Sequence, residues 1–239
     1  MMKRLGTLAL VAASMLWGGA AAADGCHQGA FNGLYIGASV GYAGLDADVY
    51  PQNLGKVSSD DGGVIGGGHL GYNMQCGRLV FGVEGDISYV DLESHGVDST
   101  GADLWTSIDW LATLRGRVGV TISESALLYA TAGVAWADRT HRVYDPGAPG
   151  GPFSQSDSDT ATGWVVGGGI EFLRHDRWLL RGEVLYVGLE DQSKTYTVGT
   201  TCGGPCTTTA KWEDDMIVAR LGLSLKLGGE ERPRYEPLK

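Results

Sequence analysis

Alternation of apolar and polar residues with a period of two constrains this chain more than any other feature. In Leu79–Asp91, LVFGVEGDISYVD, the residues Leu79, Phe81, Val83, Gly85, Ile87 and Tyr89 share one parity, and Glu84, Asp86 and Ser88 share the other. Successive side chains of a strand point to opposite faces, so one face of this segment is apolar and the other carries carboxylates. The pattern recurs in about eight segments after an apolar leader, with charges on the second face of several of them. Repeated so often, it indicates a barrel standing in lipid with its polar groups turned inward.

The leader occupies residues 1–23. Lys3 and Arg4 form a basic start, Leu5–Trp17 a short apolar core, and Ala21, Ala22 and Ala23 a signal-peptidase site. This is a secretory signal, too short for a membrane-spanning helix. A lipid-modified Cys26 would need a large aliphatic residue three positions upstream, where Ala23 stands. From residue 24 on, no apolar run approaches the roughly 20 residues that a spanning helix requires.

The candidate strands are Leu34–Leu45, Gly63–Met74, Leu79–Leu92, Ser107–Ile122, Ala126–Thr140, Thr162–Leu173, Trp178–Glu190 and Met216–Leu227. Short connections (75–78, 123–125, 174–177) alternate with long ones (46–62, 93–106, 141–161, 191–215), as periplasmic turns alternate with external loops. The expected domain plan is a signal at 1–23, one barrel over 24–227 and a polar periplasmic tail at 228–239. The fold class that follows is all-β, an eight-stranded antiparallel up-and-down transmembrane barrel. The first and last strands must pair, because hydrocarbon leaves an open sheet edge with unpaired backbone groups. The 39 glycines sit inside the strand segments, as in Gly63–Tyr72 and Trp164–Phe172. There they suit tight curvature and close backbone approach.

Outward positions include Ile36, Ala38 and Val40 on the first strand and Ala219, Leu221, Leu223 and Leu225 on the last. Tyr42, Tyr72, Trp136, Trp164, Trp178 and Tyr186 are candidates for the interfacial aromatic girdles. The inward parity holds Glu84, Asp86, Arg115, Arg117, Glu171, Arg181, Glu183, Arg220 and Lys226. An eight-stranded barrel is filled by its own side chains. These charges are therefore expected to pair with one another as a plug, Glu84 and Asp86 reaching Arg115 and Arg117 on the next strand. The competing use is a narrow channel that opens when those pairs rearrange.

Four cysteines share an oxidising compartment. Cys202 and Cys206 lie in TCGGPC, where a local disulfide fits better than a metal site, since no histidine lies near. The up-and-down topology places Cys26 and Cys76 together at the periplasmic end and predicts a second bridge between them.

Other motifs carry less. Gly66-x-Gly68-x-x-Gly71 matches a dinucleotide fingerprint as a string, but it continues a strand where such a motif opens a helix. Acidic loop residues, densest at Asp60–Asp61 and Glu213–Asp215, suit solvated loops. Calcium bridging to lipopolysaccharide phosphates is their alternative use. His141 with Ser154 or Asp157 is the nearest imitation of a lipid-modifying catalytic set, and nothing in the spacing assembles it. His69 is an inward hydrogen-bonding filler. Without Lys3 and Arg4, 16 basic residues face 28 acidic ones, a formal charge of −12 that argues against nucleic acid as a partner.

The stretches FNGLYIGASVGY (31–42), GGGHLGYNMQ (66–75), LVFGVEGDISYVDL (79–92), IDWLATLRGRVGV (108–120), LLYATAGVAWA (127–137), TGWVVGGGIEF (162–172) and WLLRGEVLYVGL (178–189) together resemble the small outer-membrane surface-antigen barrels of Gram-negative bacteria, described as porin-like or immunogenic outer-membrane proteins. They resemble the OmpA transmembrane domain more distantly. The resemblance implies residence in the outer membrane, contact with its lipid and lipopolysaccharide, delivery by the barrel-assembly machinery and external loops open to an extracellular partner. It implies no enzyme activity and no cofactor. Arg220-x-Gly222-x-x-Leu225-x-Leu227 resembles the assembly signal, although the family usually ends on an aromatic residue. The expected role is structural or interactive at the cell surface.

Overall fold

The computed structural model describes residue 26 and residues 29–51, 57–97, 103–145, 153–190, 192–197 and 207–227. The expected signal at 1–23, the tail at 228–239 and the Cys202–Cys206 pair all lie outside them. The described residues form nine β-strands: β1 Gly33–Pro51, β2 Val57–Cys76, β3 Leu79–Val97, β4 Asp103–Ser123, β5 Ala126–Asp145, β6 Phe153–Arg174, β7 Trp178–Leu189, β8 Gln192–Thr197 and β9 Thr207–Leu227. Each pairs antiparallel with its neighbour, and β1 pairs with β9 from Leu34–Leu227 to Pro51–Ala210. The sheet closes into a barrel of eight strand lines. β7 and β8 share one line, because both pair with β9, β7 from Trp178–Leu225 to Gly188–Asp215 and β8 from Gln192–Trp212 onward.

The strands are longer than the alternation suggested. The expected loop 46–62 is strand as far as Pro51 and again from Val57. The loop 141–161 shrinks in the same way, β5 reaching Asp145 and β6 starting at Phe153. A strand of 20 residues, such as β2, rises about 50 Å at ordinary rise and tilt. The outward apolar belt of such a barrel is about 25 Å tall. Roughly half of the wall therefore stands clear of hydrocarbon on the extracellular side. The short turns at the other end are two-residue hairpins, Gly77–Arg78 and Glu124–Ser125, and the three-residue turn His175–Arg177. Gly77 takes a φ of 61°, a left-handed conformation that suits glycine.

The outward face matches the expected parity. Ile36, Val40, Val83, Ile87, Leu180 and Leu221 are all exposed to the surroundings, which here are lipid. Trp164 and Tyr186 lie ring to ring at 5.4 Å near the outer boundary of this belt. Just beyond, the outward positions turn acidic, with Asp91, Asp109, Glu190 and Asp215 exposed. Asp91 and Asp109 sit where the β3–β4 ladder shifts register.

Inside, three layers fill the lumen. At the periplasmic end Phe31, Tyr35, Val80, Leu127, Leu173 and Leu179 pack together. The extracellular side of the lumen holds a second apolar cluster, including Leu45, Ile65, Leu92, Ile108, Val187 and Met216. Charged side chains lie between the two.

The segment before β1 closes the periplasmic mouth. Cys26 is disulfide-bonded to Cys76 at the end of β2. The Phe31 N–H donates to Gln75 Oε1 (3.0 Å), and the Asn32 N–H donates to the Gly29 carbonyl (3.1 Å). Lys226 Nζ donates to the carbonyl of Ala30 from β9.

Candidate functional site: the charged layer of the lumen

Each residue of the charged layer arrives by the two-residue repeat of its strand. β3 contributes Glu84 and Asp86, β4 Thr113, Arg115 and Arg117, β6 Glu171, β7 Arg181 and Glu183, and β9 Arg220. All are buried. The barrel wall makes room for them through glycine. A Cβ on Gly71 would stand 2.2 Å from the Tyr35 hydroxyl, and one on Gly169 would stand 2.7 Å from the Tyr129 hydroxyl. Both distances are shorter than real Cβ contacts, so the two tyrosines lie over backbone that only glycine leaves free.

Arg115 is the hub. Its NH2 contacts Glu84 Oε1 and Asp86 Oδ2 (3.0 Å), and its NH1 contacts Glu183 Oε1 (3.0 Å). Glu84 also accepts from Arg181 NH1 (2.7 Å), Arg117 NH1 (3.4 Å) and the Tyr35 hydroxyl (2.6 Å). Asp86 accepts from Arg220 NH1 (3.1 Å) and from the Thr113 hydroxyl. Glu183 accepts from Arg220 Nε (2.7 Å) and the Tyr129 hydroxyl (2.9 Å). Glu171 is flanked by Arg117 NH2 (2.9 Å) and Arg181 Nε (3.3 Å). The Arg117 guanidinium stacks 4.0 Å from the centroid of the Tyr129 ring.

Four carboxylates and four guanidiniums thus form one connected set with no formal charge excess. The expected neighbour pairing of β3 with β4 is present, and four further ion pairs cross the lumen, from β3 to β7 and β9 and from β4 to β6 and β7. Those crossings occupy the place where a water path would run. Arginine suits this role because its planar fork meets several carboxylate oxygens in fixed directions.

The remaining inward residues lie elsewhere. Lys226, expected among the lumen charges, is inward but belongs to the periplasmic layer, where it holds the Ala30 carbonyl. His69 is buried beside the network, its Nε2 2.7 Å from Ser224 Oγ. Arg139, which the sequence reading did not single out, is fully buried toward the extracellular end, 3.6 Å from Asp159. Tyr35, Tyr129 and Thr113 were also missed. Their signal was parity alone, since each occupies an inward position of its strand. Among the described residues no group of three or more His, Cys, Asp or Glu side chains is placed to hold a metal ion. The side chains of Asp157 and His141 are not described.

The sequence and the topology match known proteins. Residues 8–203 match the outer membrane protein beta-barrel domain family. The chain belongs to that family. It is 30% identical over 172 residues to the 31 kDa outer-membrane immunogenic protein of Brucella melitensis biotype 1, covering 66% of this chain and 71% of the relative. It is 33% identical over 172 residues to the 22 kDa outer membrane protein of Rhizobium leguminosarum bv. viciae, covering 70% and 68%. The outer membrane protein OprG from Pseudomonas aeruginosa superposes with a TM-score of 0.59 at 16% identity, over 84% of this chain and 99% of that one. At that identity the superposition speaks for the fold alone. The protein is an outer-membrane β-barrel related to surface immunogenic proteins.

Proposed function

We propose that this protein is a sealed outer-membrane barrel with a structural and surface-interactive role and no catalytic one. In this reading the ion-pair layer is filling. It fixes the barrel as a rigid post whose belt engages outer-membrane lipid and lipopolysaccharide after delivery by the barrel-assembly machinery. The extracellular half of the wall is the part offered to the environment, as an antigen or attachment surface. The observation that supports this most directly is the lumen cross-section at Arg115. That side chain is fully buried and bonded to three carboxylates from two strands, with apolar layers above and below.

Planar-bilayer recording tests the proposal. The purified, folded protein is expected to insert without steady conductance steps. If the native protein conducts steadily, and Arg115→Ala or Glu84→Ala alters the size of those steps, the layer is a gate and the sealed reading is wrong.

A further inference from the structure

The two edges of the membrane belt carry charge of opposite sign. On the extracellular side the exposed outward residues next to the belt are acidic, Asp91, Asp109, Glu190 and Asp215. The periplasmic edge is marked by the outward aromatics Tyr72, Phe81, Phe172 and Trp178, all exposed. At the turns beyond it, the exposed charged side chains among the described residues are Arg78, Arg174 and Arg177 against Glu124 and Asp176, with His175 beside them. This rim keeps a positive excess.

Its bases are not spread evenly. Arg174 and Arg177 lie at the two ends of one β-turn. His175 and Asp176 between them take left-handed φ values of 50° and 57°, and the Arg177 N–H donates to the Arg174 carbonyl (3.3 Å). Positive φ at both central residues gives the tight turn that follows the twist of a hairpin. Such a turn holds its end residues within about 7 Å, Cα to Cα. It is also pinned from β9, where the Lys226 N–H donates to the Arg177 carbonyl (2.8 Å). Arg174 pairs directly with Trp178 across the hairpin, so these two side chains share the outward face. Two like charges are thus fixed close together at the belt's edge. Among the described residues no carboxylate is ion-paired with either. Their mutual repulsion is a cost that a bound anion relieves.

What lies against this edge follows from the membrane. Phe172 and Trp178 end the apolar belt, and an outward arginine there extends past the acyl chains to the headgroups. The periplasmic leaflet of an outer membrane is phospholipid. We propose that the β6–β7 turn is a headgroup site for an anionic phospholipid of that leaflet. Arg174 and Arg177 hold the phosphodiester, whose oxygens suit the guanidinium fork. The Trp178 indole N–H is a further donor at the same level. A zwitterionic headgroup brings its own ammonium, which the two arginines repel. An anionic headgroup brings none, and this difference is the basis of selection. The inference builds on the belt's engagement of outer-membrane lipid and not on a sealed lumen, so a conducting barrel would leave it standing.

Native mass spectrometry of the full chain in detergent micelles is the test. The protein is titrated with phosphatidylglycerol or with phosphatidylethanolamine of the same acyl chains, and the affinity of the first bound lipid is read for each. A basic residue is worth about 1 kcal/mol near an anionic headgroup, or about fivefold in affinity. Native protein is therefore expected to prefer phosphatidylglycerol by about twenty-five-fold. Arg174→Gln and Arg177→Gln should each lower that preference about fivefold, and the double variant should bring it near parity. Arg142→Gln removes an exposed charge from the extracellular wall and should keep the full preference. Heat-modifiable mobility on electrophoresis shows that each variant is folded. Equal affinity of the native protein for the two lipids, an undiminished preference in the double variant, or an equal loss in Arg142→Gln would each overturn the proposal.

Discussion

Removing Arg115 is the sharpest perturbation of the charged layer. Arg115→Ala deletes contacts to Glu84, Asp86 and Glu183 at once. Three charge-assisted hydrogen bonds at about 1.5–3 kcal/mol each would total roughly 5–9 kcal/mol. That sum overcounts, because none of the three carboxylates is orphaned. Glu84 retains Arg181 and Tyr35, Asp86 retains Arg220 and Thr113, and Glu183 retains Arg220 and Tyr129. What remains is one excess negative charge in a buried layer. Breaking a buried pair by removing one partner costs about 3–5 kcal/mol, and the surviving donors place Arg115→Ala near the lower end, about 3 kcal/mol. Arg115→Lys should recover little of this, since a single ammonium on a flexible stem cannot reproduce the fork that joins three carboxylates.

The assay is a urea titration of the protein folded into lipid vesicles, read by tryptophan fluorescence and by electrophoretic mobility. With a urea dependence of about 2 kcal/mol per molar, the midpoint should fall by about 1.5 M. Glu183→Gln in the Arg115→Ala background removes the excess charge, so the double variant should be more stable than the two single losses added together. The expected coupling is about 1–3 kcal/mol, the range for residues in one network. A midpoint shift below about 0.5 M for Arg115→Ala, or a coupling near zero, would refute the view that the layer acts as a charge-balanced unit.

Gly71→Ala places a methyl group against the Tyr35 hydroxyl and should destabilise the barrel by about 1–3 kcal/mol, the usual cost of overpacking. Adding Tyr35→Leu should restore part of the loss in the same titration, because the clash disappears with the ring. Breaking the Cys26–Cys76 bridge with Cys26→Ser opens a loop whose ends are 50 residues apart. In the chain-entropy account this costs about 4 kcal/mol. The difference between native protein and variant should vanish when both are unfolded in dithiothreitol.

The sequence revealed most where one face of a strand is apolar and the other is not. Parity placed Glu84, Asp86, Arg115 and Arg220 on the inward face because Val83, Gly85, Leu114 and Leu221 flank them, and the structure buries all four charged residues. The same signal fails where both faces share a character. Along β7, Leu185, Val187 and Leu189 point inward while Val184 and Tyr186 point outward, so this part of the strand reads as one apolar run. The apolar layer of the outer lumen stayed hidden for that reason. Above the membrane the fault is reversed. Water lies outside, the outward positions become Ser154, Ser156 and Ser158, and the segment reads as loop, although β5 and β6 continue to pair from Tyr144–Ser154 to Arg139–Asp159. Hydrogen bonding outlasts hydropathy there, and a one-letter pattern records only the second.

That distinction also explains why the lumen and the surface have different chemistry. Within the bilayer every strand edge must be paired, because an unpaired backbone group in hydrocarbon costs several kcal/mol. The wall there is closed on all sides, and its sequence is free to vary only in what fills the centre. Above the bilayer water satisfies an open edge, and closure is no longer compulsory. The β6–β7 ladder stops at Gly163–Leu189, next to the outward Trp164 and one residue short of the outward Glu190, where the apolar belt gives way to carboxylates. The β2–β3 ladder stops at Ile65–Val90, beside the outward Asp91. Both ladders therefore stop at the level where the solvent changes. The membrane enforces a closed wall below that level, and above it the wall can part because water satisfies the strand edges.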